Sequence, residues 1–315
     1  MKQKEKKEGN KKMDATTVLT FIKQVIATLM TLLMMMSPAF DKEGKAYEAK
    51  NADALVTSFA VVSDIHVETN NPESYTNLSN VLKGIKGGKD VESVVYLGDN
   101  VMNGQLLENV FFYMAVRAMM PAENNLVIMG NHDLGNGAGD YHRSYKDFIA
   151  NNRLYLGRSL ETLYYYEVID GCYMICLASE DEEVQDLEMS DEQLQWLEGV
   201  LKEAQAAGAP TFVFNHFPLR YLKERGNTEL ADLLVKYDVD LYFHGHIHND
   251  LGTDNFYTWG GVDSINLPRI TEITEYEAGD GIVVEVYENE ILVRGRNFID
   301  GEWIDELVYT YPINK

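Results

Sequence analysis

Five short segments, each set directly after an apolar run, carry the side chain types that hold transition metals: Asp64-Ile65-His66, Gly98-Asp99-Asn100, Gly130-Asn131-His132-Asp133, Asn215-His216 and Gly245-His246-Ile247-His248. The apolar runs read as strands over Ser58–Ser63, Ser93–Leu97, Leu126–Met129, Thr211–Asn215 and Asp240–Phe243. In an open α/β sheet the carboxyl ends of the strands lie along one edge, where loops converge and ligands bind. The pattern therefore asks the chain to bring five strand ends to one crevice. Of seven histidines, His66, His132, His216, His246 and His248 fall at these ends, with His244 beside one. Any one segment alone reads more readily as a helix cap, a turn or a structural histidine. It is their coincidence that points to a metal site.

Between the first strands lie amphipathic helices, one carrying Leu78, Val81, Leu82 and Ile85, the next covering Leu106–Met120. This alternation is βαβ logic with a parallel sheet at its centre. Asp170-Gly171, between Tyr164–Ile169 and Cys172–Ala178, is a two-residue hairpin signal, because both turn positions must accept positive φ. Antiparallel strands thus join the parallel set. A further helix opens with Ser190 and Gln193 as a capping box, buries Leu194, Leu197, Val200, Leu201 and Ala204, and stops at Gly208-Ala209-Pro210. Another follows around Leu230, Leu233, Leu234 and Tyr237, and the chain finishes in β-structure over Ile282–Tyr287, Ile291–Phe298 and Trp303–Tyr311. The class is α/β, in one domain over residues 55–315. Cys172 and Cys176, four apart on one strand, stand about 13 Å apart, beyond disulfide reach, and read as apolar fillers.

Ahead of the domain, residues 1–40 have the order of a signal peptide or N-terminal membrane anchor: a lysine-rich start, an apolar run from Val25 to Met36, then Ser37-Pro38-Ala39. Residues 41–54 are polar without an apolar period and read as a linker. The expected location is extracytoplasmic, secreted or anchored, with membrane contact only through the N-terminal segment. Through Phe40 there are seven lysines against three acids, so of the net −23 the remainder carries 20 − 47 = −27. A body so acidic, with no basic stripe, excludes nucleic acid as a partner. A phosphate-bearing substrate would have to be drawn in locally, by bound cations.

Spacing within the segments fits such a centre. Asp64 and His66, like His246 and His248, are two apart, so in extended backbone both members project to one side. Glycines before Asp99, Asn131 and His246 permit sharp turns and close backbone approach. Carboxylate with imidazole suits Mn, Fe, Zn or Ni rather than calcium.

The order Asp-x-His, Gly-Asp, Gly-Asn-His-Asp, His, Gly-His-x-His, running from about Ser58 to His248, resembles the calcineurin-like metallophosphoesterase superfamily, as found in bacterial, exported members. The tail from Gly281 to Ile313, with Arg294-Gly295-Arg296 and Gly301-Glu302-Trp303, is similar to the C-terminal strands of bacterial members. The resemblance implies two mixed β-sheets packed as a sandwich flanked by helices, with a dinuclear metal site at one end. It implies one divalent or trivalent ion held by Asp64, His66 and His248, a second by Asn131, His216 and His246, and Asp99 bridging both. His132 is then no ligand but faces a small-molecule phosphoester, phosphodiester or phosphomonoester, which a metal-bridging hydroxide hydrolyses. Two divalent ions less the charges of Asp64, Asp99 and one hydroxide leave a centre of about +1, able to attract a phosphoester to an acidic protein. His132 would stabilise developing charge or protonate the departing oxygen.

Many relatives place a second aspartate three residues after the bridging one, to orient the catalytic histidine; here Met102 stands there. The expectation is that Asp133 or another group orients His132, so His132 and Asp133 are the catalytic candidates. His142-Arg143, in the loop after the Gly-Asn-His-Asp segment, is a candidate for substrate phosphate, against the plainer reading of a solvated pair. Trp259-Gly260-Gly261 is read as a pocket wall or simple packing. Competing functions are a phosphoprotein phosphatase and a metal-binding scaffold without turnover.

Overall fold

A computed structural model of the protein describes residues 44–120, 124–135, 141–180, 187–224, 228–270 and 278–313, the side chains of 141–143 and 222–224 excepted. The leader read at 1–40 lies outside these residues. Strand β1 (Thr57–Val62) is buried along its whole length, and its period of two divides it between two cores. Phe59 and Val61 point into one apolar cluster, Ala60 and Val62 into another. A strand buried on both faces must have a layer on each side.

In chain order α1 (Pro72–Lys86), β2 (Ser93–Tyr96), α2 (Leu106–Met119), β3 (Asn125–Val127), α3 (Tyr141–Tyr155), β4 (Tyr165–Ile169), β5 (Cys172–Cys176) and α4 (Asp191–Ala207) follow. Then come β6 (Thr211–Phe214), α5 (Leu219–Glu224), α6 (Glu229–Lys236), β7 (Leu241–His244), β8 (Phe256–Trp259), β9 (Val262–Asn266), β10 (Asp280–Val286), β11 (Glu290–Asn297) and β12 (Glu302–Pro312). Among the described residues the strands form two six-stranded sheets, ordered β12-β11-β10-β1-β2-β3 and β4-β5-β6-β7-β9-β8. Both are mixed. β1, β2 and β3 run parallel and β10 to β12 antiparallel, while β5, β6, β7 and β9 run parallel between antiparallel β4 and β8.

The sheets face each other across Phe59, Val61, Leu97, Phe212, Phe214, Phe243 and Ile282, helices α1 to α3 cover the outer face of the first sheet, and α4 and α6 cover the second. Edge-to-face rings tie the two sheets together, with Phe59 at 5.1 Å from Phe212 and 6.0 Å from Phe214. Register then decides where the loops leave. Val62, Tyr96 and Val127 lie side by side at one end, as do Phe214 and Phe243 in the other sheet, and each metal-type segment starts within a few residues of these positions.

The sandwich matches the expected class. The Asp170-Gly171 hairpin forms with both residues at positive φ, 48° and 83°. Ser190 caps α4 through Gln193 N–H at 3.1 Å, and Gly208 ends it at φ 61°. Cys172 and Cys176 are free and buried on β5, and burial pushes the Cys176 thiol up to about 12, as suits an inert filler.

Three local features differ from the sequence reading. Gly260-Gly261 is the turn of an unforeseen β8–β9 hairpin, with φ 60° and 88°, and Trp259 packs on the outer cluster. His142-Arg143 belongs to the first turn of α3 rather than a loop, because Phe148, Asn151 and Asn152 recur at helical spacing on a buried face. Their side chains lie outside the described set. Residues 44–54, read as linker, dock on the domain: Tyr47 is buried, its ring takes the wholly buried Arg296 guanidinium at 3.9 Å, and Trp303, edge-on to Tyr47, lies 4.7 Å from the same guanidinium. A polar segment anchored by one aromatic ring leaves no apolar period to read.

Phe59→Ala should cost about 3–5 kcal/mol of stability by emptying the centre of the inter-sheet layer. Urea denaturation of the variant against the parent checks this.

Candidate metal centre

Each segment leaves its strand and turns at once. Asp64, His66, Asp99, His246 and His248 all have positive φ, between 49° and 71°, and among the described residues only two other non-glycine residues share that conformation. Left-handed backbone costs a non-glycine residue about 1–2 kcal/mol. Five such residues at one place mean that the surrounding fold holds them there. This corrects the extended geometry expected for the Asp-x-His and His-x-His pairs. Their members share a site because both residues are left-handed, not because a strand pleat aligns them.

Hydrogen bonds along the loops enforce the turns. Asp64 N–H donates to Gly98 O at 3.1 Å, His66 N–H to Asp99 O at 2.8 Å and Val67 N–H to Asn100 O at 3.1 Å, so the β1 and β2 loops run as one ribbon. Glycine is required where loops touch. A Cβ on Gly130 would collide with the Asp99 carboxylate and amide, and one on Gly245 with Ser63 Oγ and Asp64 Oδ2. The second contact joins the β1 loop to the β7 loop, which belongs to the other sheet.

Two groups of potential ligands result. Asp64, His66, Asp99 and His248 form one, Asp99, His216 and His246 the other, each with its ligand atoms within 4.8 Å of one another. Asp99 is common to both. His248 Nε2 lies 2.8 Å from Asp64 Oδ1 and 3.2 Å from His66 Nε2. Asn131 Oδ1 lies 3.1 Å from His216 Nε2 and 3.0 Å from His246 Nδ1, which places it in the second group. All seven residues that the resemblance assigned to metal binding are therefore gathered at one end of the sandwich.

The donor set fits a cation. His216 Nδ1 is 3.0 Å from Leu97 O, an acceptor, so the neutral ring carries its proton there and turns the Nε2 lone pair inward. That lone pair, Asn131 Oδ1 and the Asp99 carboxylate then point electron density at one another. Asp99 Oδ2 is buried and has no hydrogen-bond partner, 3.3 Å from His216 Nε2 and 3.8 Å from His66 Nε2. Converging acceptors repel unless a positive charge lies among them. Without a metal, a proton fills that need. Burial alone would lower the His216 pKa, but Asp99 and Asp64 outweigh it and raise the ring to about 9. Burial and the neighbouring His216 charge push His246 down to about 4. Asp64 and Asp99 stay below the ordinary carboxylate range although burial opposes it, because His216 and the other rings neutralise them.

The catalytic candidates separate. His132 is partly exposed beside His66, ring centroids 4.7 Å apart, and its backbone N–H donates to Asp99 Oδ1 at 2.8 Å. Its Nδ1 sits 2.8 Å from the Met102 carbonyl, so the residue standing where many relatives have aspartate does hold the histidine, with its backbone. Asp133 does not. Its carboxylate accepts from Gly130 N–H at 2.8 Å, Val101 N–H at 3.0 Å and Asn100 Nδ2 at 3.1 Å, which makes it a clamp for the two loops. Burial and the nearby Asp99 raise its pKa to about 7. His244 is buried behind the site, with Nε2 2.6 Å from the Tyr257 hydroxyl.

Sequence reasoning missed the carbonyls of Leu97 and Met102, and Ser63, whose hydroxyl donates to Asp64 Oδ2 at 2.5 Å. Backbone acceptors have no residue-type signature, and only the seryl neighbour of Asp64 carried any signal.

Residues 57–250 match the family model described as calcineurin-like phosphoesterase. The protein belongs to that family. Two Arabidopsis thaliana proteins described as probable inactive purple acid phosphatases, 24 and 27, are each 25% identical to it, over 56% and 52% of this chain. The matches span 31% and 30% of those relatives' length, under a third. A dimetal phosphatase from Danio rerio shares the fold with a TM-score of 0.56 at 16% identity, over 82% of this chain and all of the other.

Since His216 binds a proton up to about pH 9 without a metal, metal and proton compete for it. Raising pH toward 9 removes the competitor, so apparent Zn²⁺ affinity should rise by up to about tenfold per pH unit and level off above. Calorimetric titration in buffers of different ionisation enthalpy should show about one proton released per protein at pH 7.

Proposed function

We propose that the protein is a hydrolase that cleaves a small-molecule phosphate ester at a two-metal centre. The observation that carries this is Asp99, whose unpartnered Oδ2 lies where the two ligand groups meet. Asp64, His66, Asp99 and His248 would hold one ion, and Asp99, Asn131, His216 and His246 the other. Two cations held there, such as Mn, Fe, Zn or Ni, would supply the charge that neutralises phosphate oxygens and acidifies an attacking water. The chain's own residues do the rest. Leu97 O and Met102 O fix the His216 and His132 tautomers, which leaves His132 Nε2 toward the substrate. From there an imidazolium can donate a proton to the leaving oxygen. With a body net charge near −27 over residues 41–315, the centre is the place where an anionic ester finds positive charge.

The basic-then-apolar order of residues 1–40 supports export or tethering at a membrane, and so a small extracellular ester. Among the described residues no helix is long and apolar enough to cross a membrane. A scaffold without turnover is the second reading, favoured by the descriptions of the two Arabidopsis relatives as inactive. Against it, the ligand set here is complete.

Bis(p-nitrophenyl) phosphate and p-nitrophenyl phosphate, each with Mn²⁺, Zn²⁺, Ni²⁺ or Fe²⁺, separate these readings. Turnover of either ester is expected, and its ratio assigns the diester or monoester class. Silence on both with metal bound would favour the scaffold. Asp99→Asn should reduce turnover at least about a hundredfold by weakening the shared ligand.

A further inference from the structure

Glu108 occupies the third position of α2, where a glutamate ordinarily caps the helix by accepting one backbone N–H. Gln105 N–H at 3.3 Å is that bond. Four more donors reach the same carboxylate, which is fully buried: Asn103 N–H and Nδ2, both at 3.0 Å, Thr69 N–H at 3.2 Å and the Thr69 hydroxyl at 3.1 Å. Capping accounts for only the first of the five.

The Asn103 N–H belongs to the peptide whose carbonyl is Met102 O, the partner of His132 Nδ1 at 2.8 Å. In a trans peptide N–H and C=O point opposite ways, so Glu108 and His132 sit at the two ends of one peptide unit. We propose that Glu108 is a positioning residue for His132, acting through the Met102–Asn103 peptide in place of the aspartate that many relatives carry at position 102. This rests on the reading of His132 as the group that serves the leaving oxygen.

The physics favours such a relay. A carboxylate accepting from one end of a peptide polarises it and strengthens the acceptor at the other end. A charged acceptor also makes the Asn103 bond stronger than a neutral one. A peptide plane has no rotamers, so once Glu108 holds its N–H and Val67 O accepts Met102 N–H at 2.9 Å, the carbonyl direction is set. The Thr69 bonds tie the same carboxylate to the loop that carries Asp64 and His66, which keeps His132 in register with that ligand group.

Two measurements on the full chain test this. With ¹⁵N-histidine label and Zn²⁺, the parent should show a downfield, slowly exchanging His132 Nδ1–H resonance, identified by its loss in His132→Asn. Glu108→Gln should move that resonance upfield and speed its exchange. In kinetics, Glu108→Gln should lower kcat for a phenyl ester about tenfold or more, leave KM unchanged, and affect a 2,4-dinitrophenyl ester, which needs no acid, less than about threefold. Loss of structure alone would slow both esters alike. An unmoved resonance with unchanged leaving-group dependence overturns the proposal. Should Glu108→Gln fail to fold, the parent decides: an Nε2–H tautomer or rapid Nδ1–H exchange overturns it. No turnover of any ester, with the resonances as expected, would sink the proposed reaction and leave the positioning role standing.

Discussion

At one end of the sandwich, the Asp64 and Asp99 carboxylates and Asn131 Oδ1 converge on ring nitrogens of His66, His216, His246 and His248, and Asp99 Oδ2 is buried there without a hydrogen-bond partner. Buried acceptors repel and lose hydration together, so the arrangement is costly unless a cation or a proton neutralises it. Left-handed backbone at Asp64, His66, Asp99, His246 and His248 has the same root. These residues are held in strained turns because only there do their side chains converge, and the hydrogen-bonded loop ribbon supplies the restraint.

That convergence needs two sheets. Asp64, His66, Asp99 and Asn131 follow strands of one, His216, His246 and His248 follow strands of the other. The phenylalanine layer at Phe59, Phe212, Phe214 and Phe243 sets the gap between sheets, and the contact of Gly245 with Ser63 and Asp64 closes it at the site. A bound cation would thus bridge the two halves of the fold as well as polarise a phosphate. With a body this acidic, such a cation would also be a local attraction for an anion.

Much of this was legible in the chain. Strand positions, helix α4 with its Ser190 cap, the Asp170-Gly171 hairpin and the buried cysteines follow from period, capping and turn chemistry, which act over a few residues. A metal site at the strand ends was legible because metal-type residues recur after five apolar runs, and the family was legible through the resemblance of their order. The β8–β9 hairpin was obscured by polar residues at Thr258, Asp263 and Ser264, which blur the period of two. The docking of residues 44–54 depends on Arg296 finding Tyr47 and Trp303, an encounter across some 250 positions that no local pattern records.

Asp133 marks the limit at the site itself. Its place beside His132 made it a natural candidate to orient the ring, yet its carboxylate is taken by Gly130, Val101 and Asn100, and the Met102 carbonyl does the orienting. Which side chains could bind metal, and that they follow strands, could be read from the chain alone, because residue chemistry and hydrophobic period are local properties. What needed the folded molecule was that both pairs turn left-handed, that Asp133 clamps two loops and that a backbone carbonyl holds His132. Those depend on where separate loops meet in space, and a peptide carbonyl looks the same in every residue until the fold aims it.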